Sequence, residues 1–268
     1  MTNAQLDQLS VRLVEPSIAQ ARLITRQLED TGIRFVHSSR SGMEALAALR
    51  DVPADLIISS LYLPDMTGTE LVYAMRADDD LAHKAFMLIS SETNPRYLDP
   101  VRQAGTICIL PKPFNGQQLR GALLSTLEYL DPKTLQLDTE HIDIEDIKVL
   151  LVDDSPTARN YIRHILGNLG IRHFTEAQNG KQACALVEQE FFDLIVTDYN
   201  MPEMDGREFT EFVRTRSGQS SVPILMVSSE QNRNRLAAVQ NAGVSALCDK
   251  PFDPRLVRDL ILKLLASR

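Results

Sequence analysis

The chain carries one series of short motifs twice, at a constant offset of 138 residues. In the second half the motifs are Leu151–Ser155, Thr197–Pro202, Val227–Ser229 and Asp249–Phe252. In the first half they are matched by Leu13–Ser17, Ser59–Pro64, Ile89–Ser91 and Pro111–Phe114. A duplication of this length in a chain of 268 residues predicts two domains of the same fold, each large enough to bury its own core.

Each half alternates short apolar runs with longer segments of helical spacing. In the second half the predicted strands are Lys148–Val152, Ile171–Ala177, Leu194–Asp198, Pro223–Val227 and Val244–Cys248. The predicted helices are Pro156–Leu169, Gly180–Glu190, Gly206–Arg216, Asn232–Ala242 and Pro254–Ala266. Strands that alternate with helices form βαβ units around a parallel sheet. The sequence therefore predicts an α/β fold, with two doubly wound, five-stranded parallel-sheet domains in tandem.

The predicted domains are residues 1–130 and 147–268, joined by a linker of residues 131–146. Pro132 ends the preceding helix because it lacks a backbone donor. After Pro132, acidic residues alternate with other residues, a pattern that favours an extended linker. The linker also contains apolar residues, so it could instead pack against one of the domains. His141 is the histidine that could suggest a phosphohistidine, but it lies in no four-helix pattern, and we interpret it as a solvated linker residue.

Composition excludes several functional classes. The net charge is −8 and neither half is basic, so we expect no nucleic-acid partner and no membrane partner. No apolar run reaches the roughly 18–20 residues of a membrane span, and the N-terminus lacks a signal core. The cysteines show no paired spacing and are expected to be reduced and buried: Cys108, Cys184 and Cys248. These features predict a soluble, cytoplasmic protein.

Polar residues stand at the carboxyl ends of the predicted strands in the second half. Asp153 and Asp154 follow the first strand, Asp198 ends the third, Ser228 ends the fourth and Lys250 follows the fifth. In an open parallel sheet these ends form one edge, where functional groups collect. Three carboxylates there repel one another, and Mg²⁺, which prefers oxygen ligands, relieves that repulsion. A carboxylate can also attack phosphorus as a nucleophile, with a lysine and a hydroxyl stabilising the phosphoryl oxygens.

Taken together, these motifs resemble the CheY-like receiver domains of two-component response regulators. The resemblance covers residues 147–267 and, in weaker form, residues 10–130. The run from Asp198 to Gly206 is especially similar to the family, and the Lys250-Pro251-Phe252 motif agrees with it.

The resemblance implies a role for each acid. Asp198 would be the phosphoacceptor, taking its phosphoryl group from a histidine kinase or a histidine phosphotransfer protein. Asp154 and Asp198 would bind Mg²⁺ directly, Asp153 would act mainly through water, and the backbone carbonyl of Asn200 would complete the protein ligands. Ser228 would be the switch hydroxyl, and Lys250 would contact the phosphoryl group.

The family often has an aromatic switch residue three positions before the lysine, where this chain has Leu247. The resemblance therefore implies signalling through backbone rearrangement near Ser228 and the fourth helix of the domain, not through a coupled hydroxyl–aromatic switch.

The first half lacks the acids and resembles a degenerate receiver. Its residues at the three acidic positions are Glu15, Pro16 and Ser60. A serine forms no acyl phosphate, and proline provides no metal ligand. We expect Lys112 to pair with Glu15 where a metal would lie. Asp55 begins the third strand, at the wrong end of the sheet, and Asp65 lies in the loop beyond Pro64, so neither restores the site. This half could serve one of three roles. It could form a dimer, including a homodimer, it could dock a partner, or it could restrain the second domain.

The favoured function is a response regulator that signals by phosphorylation-dependent contacts with an unknown downstream protein. It is predicted not to be an enzyme beyond assisting its own phosphorylation and dephosphorylation. Since the last predicted helix ends near Arg268, we expect no DNA-binding or catalytic output domain.

Three alternatives differ in class. The chain could be a phosphate sink in a phosphorelay, which uses the same residues and differs in transfer kinetics. It could be the receiver portion of a longer enzyme such as a diguanylate cyclase. A phosphatase of the haloacid-dehalogenase type is disfavoured, because that family places its Asp-x-Asp motif after the first strand, whereas here the nucleophile position follows the third.

Overall fold

The computed structural model describes residues 6–130, 144–228, 242–250 and 257–261. The chain divides into two compact units, Met1–Asp131 and Pro132–Arg268. Most of the predicted linker, residues 131–143, lies outside the described residues, as does His141. The end of the predicted linker, Ile144–Asp146, forms a 3-10 turn in which Ile144 is buried.

The first unit alternates five strands with five helices. The strands are β1 Ser10–Val14, β2 Phe35–Ser39, β3 Leu56–Ser60, β4 Ala85–Ser90 and β5 Cys108–Pro111. The helices are α1 Ile18–Asp30, α2 Gly42–Asp51, α3 Gly68–Arg76, α4 Pro95–Gln103 and α5 Gly116–Leu130. All strand pairs are parallel, in the order β2-β1-β3-β4-β5.

The second unit repeats this arrangement. Its strands are β6 Lys148–Val152, β7 His173–Ala177, β8 Leu194–Asp198, β9 Ile224–Ser228 and β10 Ala246–Asp249. Among the described residues its helices are α6 Pro156–Asn168, α7 Gly180–Gln189 and α8 Gly206–Arg216, and residues 257–261 are also helical. The parallel strands follow the same order, β7-β6-β8-β9-β10. The predicted fold class is confirmed, while the predicted helix Asn232–Ala242 lies almost wholly outside the described residues.

The central strands are buried on both faces, which explains why they read as continuous apolar runs. Every residue of β3, β4, β8 and β9 is buried. The polar residues that lie at the ends of these strands are therefore shielded from water wherever the neighbouring loops cover them. None of the helices among the described residues is both long enough and apolar enough to span a bilayer.

The loop after the first strand is shaped in the same way in both units. Ser17 is the N-cap of α1 and accepts a hydrogen bond from Gln20 N, and Ser155 caps α6 by accepting one from Ala158 N. These caps lie two residues after Glu15 or Asp153 and fix where each helix begins, at Ile18 and Pro156.

A glycine allows close backbone contact beyond the third strand of each unit. A Cβ added to Gly206 would lie 2.1 Å from the carbonyl oxygen of Asp198, and one added to Gly68 would lie 2.7 Å from that of Ser60. A side chain at either position would push the following helix away from the strand end. The loop that frames the acidic edge thus requires glycine in both units.

At the opposite end of each sheet, an arginine ties loops together. Arg76 donates hydrogen bonds to the carbonyls of Ala82, Lys84 and Gly105, each within 3.0 Å. In the second unit Arg214 donates to the carbonyls of Gly243 and Ser220, at 2.8 and 3.0 Å. Each arginine closes the loops that lead into the last two strands of its sheet.

Candidate functional site

The three aspartates of the second half converge at the carboxyl edge of the sheet. Parallel pairing places the end of β6 beside β8, with Val152 opposite Thr197. The loop after β6 therefore lies next to Asp198, the last residue of β8. One carboxylate oxygen from each of Asp153, Asp154 and Asp198 lies within 4.8 Å of the others. The structure thus brings together the acids that the sequence placed at one edge.

Lys250 enters this cluster from the end of β10. Its ammonium lies 2.8 Å from Asp153 Oδ2 and 3.0 Å from Asp198 Oδ1, and the lysine side chain is 1% exposed. Its backbone N–H donates to the carbonyl of Ser228, which holds the loop after β10 against β9. Burial would lower the pKa of Lys250, but the charges of Asp153 and Asp198 outweigh burial and raise it. The lysine is therefore held as a cation between two carboxylates.

A backbone N–H donates a hydrogen bond to one oxygen of each buried carboxylate. Ser155 N donates to Asp153 Oδ1 at 2.9 Å, and Asn200 N donates to Asp198 Oδ2 at 3.1 Å. Asp198 Oδ1 receives no backbone N–H among the described residues and is held by the buried Lys250 ammonium, 3.0 Å away. Asp154 is the exposed member of the cluster.

Burial makes the charged form of Asp198 costly. Desolvation, opposed by the charge of Lys250 and reinforced by the charges of Asp153 and Asp154, raises the pKa of Asp198 to about 6. Burial is the largest cause of this raised pKa, and the charge of Lys250 offsets it only in part.

The residues present fit a hard divalent cation. Three carboxylates and one ammonium leave the cluster with two uncompensated negative charges at neutral pH, and each acid offers an oxygen within 4.8 Å of the others. Oxygen donors of this kind suit Mg²⁺, which would be held by Asp153, Asp154 and Asp198.

The equivalent edge of the first unit is compensated by its own side chains. Lys112 Nζ lies 3.0 Å from Glu15 Oε2, which confirms the predicted charge pair. Ser60 Oγ donates to the same oxygen at 2.5 Å, and Ser17 N donates to Glu15 Oε1 at 2.9 Å. Burial would raise the pKa of Glu15, but the hydrogen bonds from Ser60 and Ser17 and the charge of Lys112 lower it. This carboxylate is stabilised without any cation from solution.

Two segments of the sequence, residues 11–124 and 149–262, each match the response regulator receiver domain family. The chain belongs to this family. It is 35% identical over 118 residues to the chemotaxis protein CheY of Pseudomonas aeruginosa, a match that covers 44% of this chain and 95% of that protein. The units described above are therefore two receiver domains in tandem, and receiver domains by themselves are signalling modules, not enzymes.

Two solved structures are also similar to this chain. The chemotaxis response regulator CheY4 of Vibrio cholerae is 30% identical, with a TM-score of 0.41, and the match covers 44% of this chain and 98% of that one. A probable two-component system response regulator/GGDEF domain protein is 22% identical, with a TM-score of 0.43, over 97% of this chain and 99% of that one.

Asp55 and Asp65 of the first receiver lie away from its degenerate site, as predicted. Asp55 accepts a hydrogen bond from Ser10 N at the amino end of β1, the opposite edge of the sheet. Asp65 accepts hydrogen bonds from Gly42 N and Met43 N at the start of α2. Each carboxylate therefore serves the backbone, so neither replaces a missing metal ligand.

Ser228 and Leu247 lie where the sequence placed them. Ser228 ends β9 and is fully buried, with Asp249 opposite it on β10. Leu247 is partly buried and packs with Tyr199 and Met226. An aliphatic side chain occupies the position at which the family often has an aromatic one.

Sequence reasoning missed a group of charged residues beside the acids. Arg159 is buried and donates to the backbone carbonyl of Asp153, and it also pairs with Glu176 on β7. Its position one helical turn after the Ser155 cap was the available signal, since a long side chain there can reach back to the loop.

Proposed function

We propose that the second receiver accepts a phosphoryl group on Asp198 from a histidine kinase or a histidine phosphotransfer protein. The supporting observation is the convergence of three carboxylates on one buried lysine. In the transfer, an Asp198 carboxylate oxygen forms the bond to phosphorus as the phosphorus–nitrogen bond of the donor histidine breaks, and the imidazole leaves with the electron pair. The ring nitrogen of the donor histidine thereby regains its lone pair, and Asp198 becomes an acyl phosphate.

The residues around Asp198 have separate tasks in this proposal. Mg²⁺ would be held by Asp153, Asp154, Asp198 and the backbone carbonyl of Asn200, and it would supply positive charge to the oxygens of the transferred group. Lys250 provides a fixed cation beside the Asp198 carboxylate, and its contacts with Asp153 and Asp198 keep it in place. The Ser228 hydroxyl donates a hydrogen bond to a phosphoryl oxygen.

Signalling then depends on protein contacts that change with phosphorylation. The new charge on Asp198 competes for Lys250 and draws Ser228, which ends β9, while Lys250 directly follows β10. We infer that the carboxyl ends of these two strands carry the change to the surface, where a downstream protein binds. The first receiver is inert to phosphorylation in this proposal, because Ser60 stands at the phosphoacceptor position.

The test is to incubate the full chain with acetyl phosphate and Mg²⁺ and to reduce it with borohydride, which converts an aspartyl phosphate to homoserine. Peptide mass spectrometry should locate homoserine at residue 198 and nowhere in residues 6–130. Homoserine at another aspartate, or none at all in a chain shown to bind Mg²⁺, contradicts the assignment.

A further inference from the structure

Arg159 makes an unusual contact for a helix residue, because its guanidinium reaches back to the loop that carries the acids. Its Nη1 donates to the backbone carbonyl of Asp153 at 2.6 Å, and its Nε donates to Glu176 Oε2 at 2.8 Å. The residue is 6% exposed. A buried, charge-assisted hydrogen bond of this kind holds its acceptor in one orientation.

The carbonyl that accepts this bond belongs to the peptide that joins Asp153 to Asp154. Because the peptide is planar, fixing its oxygen also fixes the direction in which the chain continues to Asp154. Asp154 is the exposed acid of the cluster, and repulsion from Asp153 and Asp198 favours conformations in which it turns to solvent. The bond from Arg159 therefore restricts the acid that has the most freedom to leave the site.

Glu176 holds the arginine in place. It lies on β7 opposite Leu151 of β6, and its two carboxylate oxygens bind Arg159 and Arg163 separately. Arg163 also lies over the ring of Phe174, with 5.8 Å between its Cζ and the ring centroid. Glu176 thus offsets the positive charge that Arg159 brings close to a cation site, and it leaves the guanidinium free to bind the Asp153 carbonyl.

The first receiver shows that the fold does not need this group. The counterparts of Arg159, Arg163 and Glu176 are Ala21, Thr25 and Ser38. These three residues help to line an open cavity of about 690 Å³. Yet α1 begins with the same serine cap, and Ser17 N binds Glu15 at the same 2.9 Å that separates Ser155 N from Asp153. The three charged residues are absent together in the receiver that lacks the metal acids.

We propose that Arg159 is a positioning residue for the metal site of the second receiver, acting through the Asp153–Asp154 peptide, with Glu176 as its support. The inference rests on the proposed function, because it assumes that the acids bind Mg²⁺. It assigns Arg159 no contact with the metal or the phosphoryl group. Its action is to keep Asp154 directed toward Asp198 before the cation arrives.

The test compares full-length wild type with Arg159→Ala, Arg159→Lys, Arg163→Ala and the surface control Arg207→Ala, using calorimetric titration with Mg²⁺. Arg159→Ala should weaken Mg²⁺ binding about tenfold, as loss of an outer partner of metal ligands typically does. Arg159→Lys should recover part of that loss, because an ammonium can still donate to the Asp153 carbonyl. Arg163→Ala and Arg207→Ala should bind as wild type does.

A second measurement separates positioning from general stability. In the metal-free proteins, the amide of Ser155 should exchange its hydrogen faster in Arg159→Ala, whereas exchange in β8 should stay as in wild type. If Arg163→Ala lowers Tm as much as Arg159→Ala and weakens Mg²⁺ equally, the effect is structural and the inference is wrong. If Arg159→Ala does not fold, Mg²⁺ affinity and Tm are compared between Arg159→Lys and Arg163→Ala instead. Equal losses of both in these two variants would again show that the effect is structural.

The outcomes also separate this inference from the proposed function. If wild type and Arg159→Ala bind Mg²⁺ equally well, the inference about Arg159 is wrong, while the proposed phosphoacceptor site still stands. A wild-type chain that binds no Mg²⁺ removes both.

Discussion

The two receivers share a scaffold and differ in how they balance charge at one edge of it. Strand order, serine caps and the glycine beyond the third strand are the same in both. At the carboxyl edge the first receiver pairs Glu15 with Lys112, which leaves no net charge. The second sets three aspartates against Lys250, which leaves two negative charges. The fold therefore tolerates either arrangement. The difference in net charge at this edge is the reason that a bound cation is proposed for the second receiver and not for the first.

Side-chain length explains how the first receiver closes its site. Glu15 is one methylene longer than an aspartate, and its Oε2 reaches both Ser60 Oγ and Lys112 Nζ. Lys112 also donates to Gln20 Oε1 at 2.7 Å. Both oxygens of Glu15 thus have a donor of their own, whereas Asp153 and Asp198 in the second receiver share the single ammonium of Lys250.

The sharpest separation concerns phosphorylation. Asp198→Asn should abolish uptake of phosphate from acetyl phosphate or from a kinase, because an amide does not form an acyl phosphate. The matched change in the first receiver, Ser60→Ala, should leave uptake at the wild-type level. Intact mass spectrometry of the full chain measures both, and full labelling of Asp198→Asn would contradict the assigned role of this residue.

The two receivers should respond to pH in opposite directions. The pKa of Asp198 is about 6 in the folded chain against a usual value of 3.8, so its contribution to stability is present below pH 3.8 and is lost as pH rises through 6. In metal-free protein at pH 7.5, Asp198→Asn should therefore stabilise the second receiver by up to about 3 kcal/mol, since each pKa unit corresponds to about 1.4 kcal/mol.

Hydrogen exchange of the full chain, read separately for β8 and β3, measures this effect. The gain from Asp198→Asn should vanish near pH 4, where the wild-type carboxyl is protonated as well. A variant that is less stable than wild type at pH 7.5 would show that the Lys250 pair outweighs burial.

Mg²⁺ should protect the second receiver and not the first. A cation that binds only the folded state stabilises it by about 2.7 kcal/mol when its concentration is about 100 times Kd. Asp154→Asn should remove most of this gain, and Pro16→Ala, at the equivalent position, should not. Hydrogen exchange with and without Mg²⁺ locates the protection, and protection confined to residues 6–130 would place the site in the wrong receiver.

The smallest expected effect is in the first receiver. Glu15→Gln should cost about 1 kcal/mol, because it removes a charge pair in which Lys112 is partly exposed to solvent. The pKa of Glu15 is lowered from 4.5 in the folded chain, so the pair stabilises this receiver above pH 4.5 and fades as pH falls through the folded pKa. Acid unfolding followed at β3 should therefore be less steep in the variant than in wild type.

The sequence predicted the fold and the converging acids because both depend on periodicity and on the geometry of parallel sheets. The bounds of β8 and α8 agree with the predicted strand and helix. The predicted start of β7 at Ile171 was wrong by two residues, because Ile171 N still binds the Leu166 carbonyl at the end of α6. The last strand also begins two residues late, since Ser245 supplies Oγ as an acceptor for Ile224 N.

Contacts between a side chain and a residue distant in the sequence were harder to predict. The Glu15–Lys112 pair could be predicted because both ends lay at known strand termini. Gln20 as a further partner of Lys112, and Arg159 as a donor to the Asp153 carbonyl, depend on rotamers and on helix placement. The position of Arg159 one turn after the Ser155 cap indicates only that its side chain can reach the loop, and an exposed residue on a solvated helix face can have the same spacing.

The arginines at the far end of each sheet bear on how a receiver of this kind can move. Arg214 clamps the Gly243 and Ser220 carbonyls together at the base from which β9 and β10 start. With that base held, a displacement at the tips of these strands becomes a small rotation about a fixed pivot and not a slide of whole strands. Such a hinge lets the tips change direction while the hydrogen bonds between the strands stay intact.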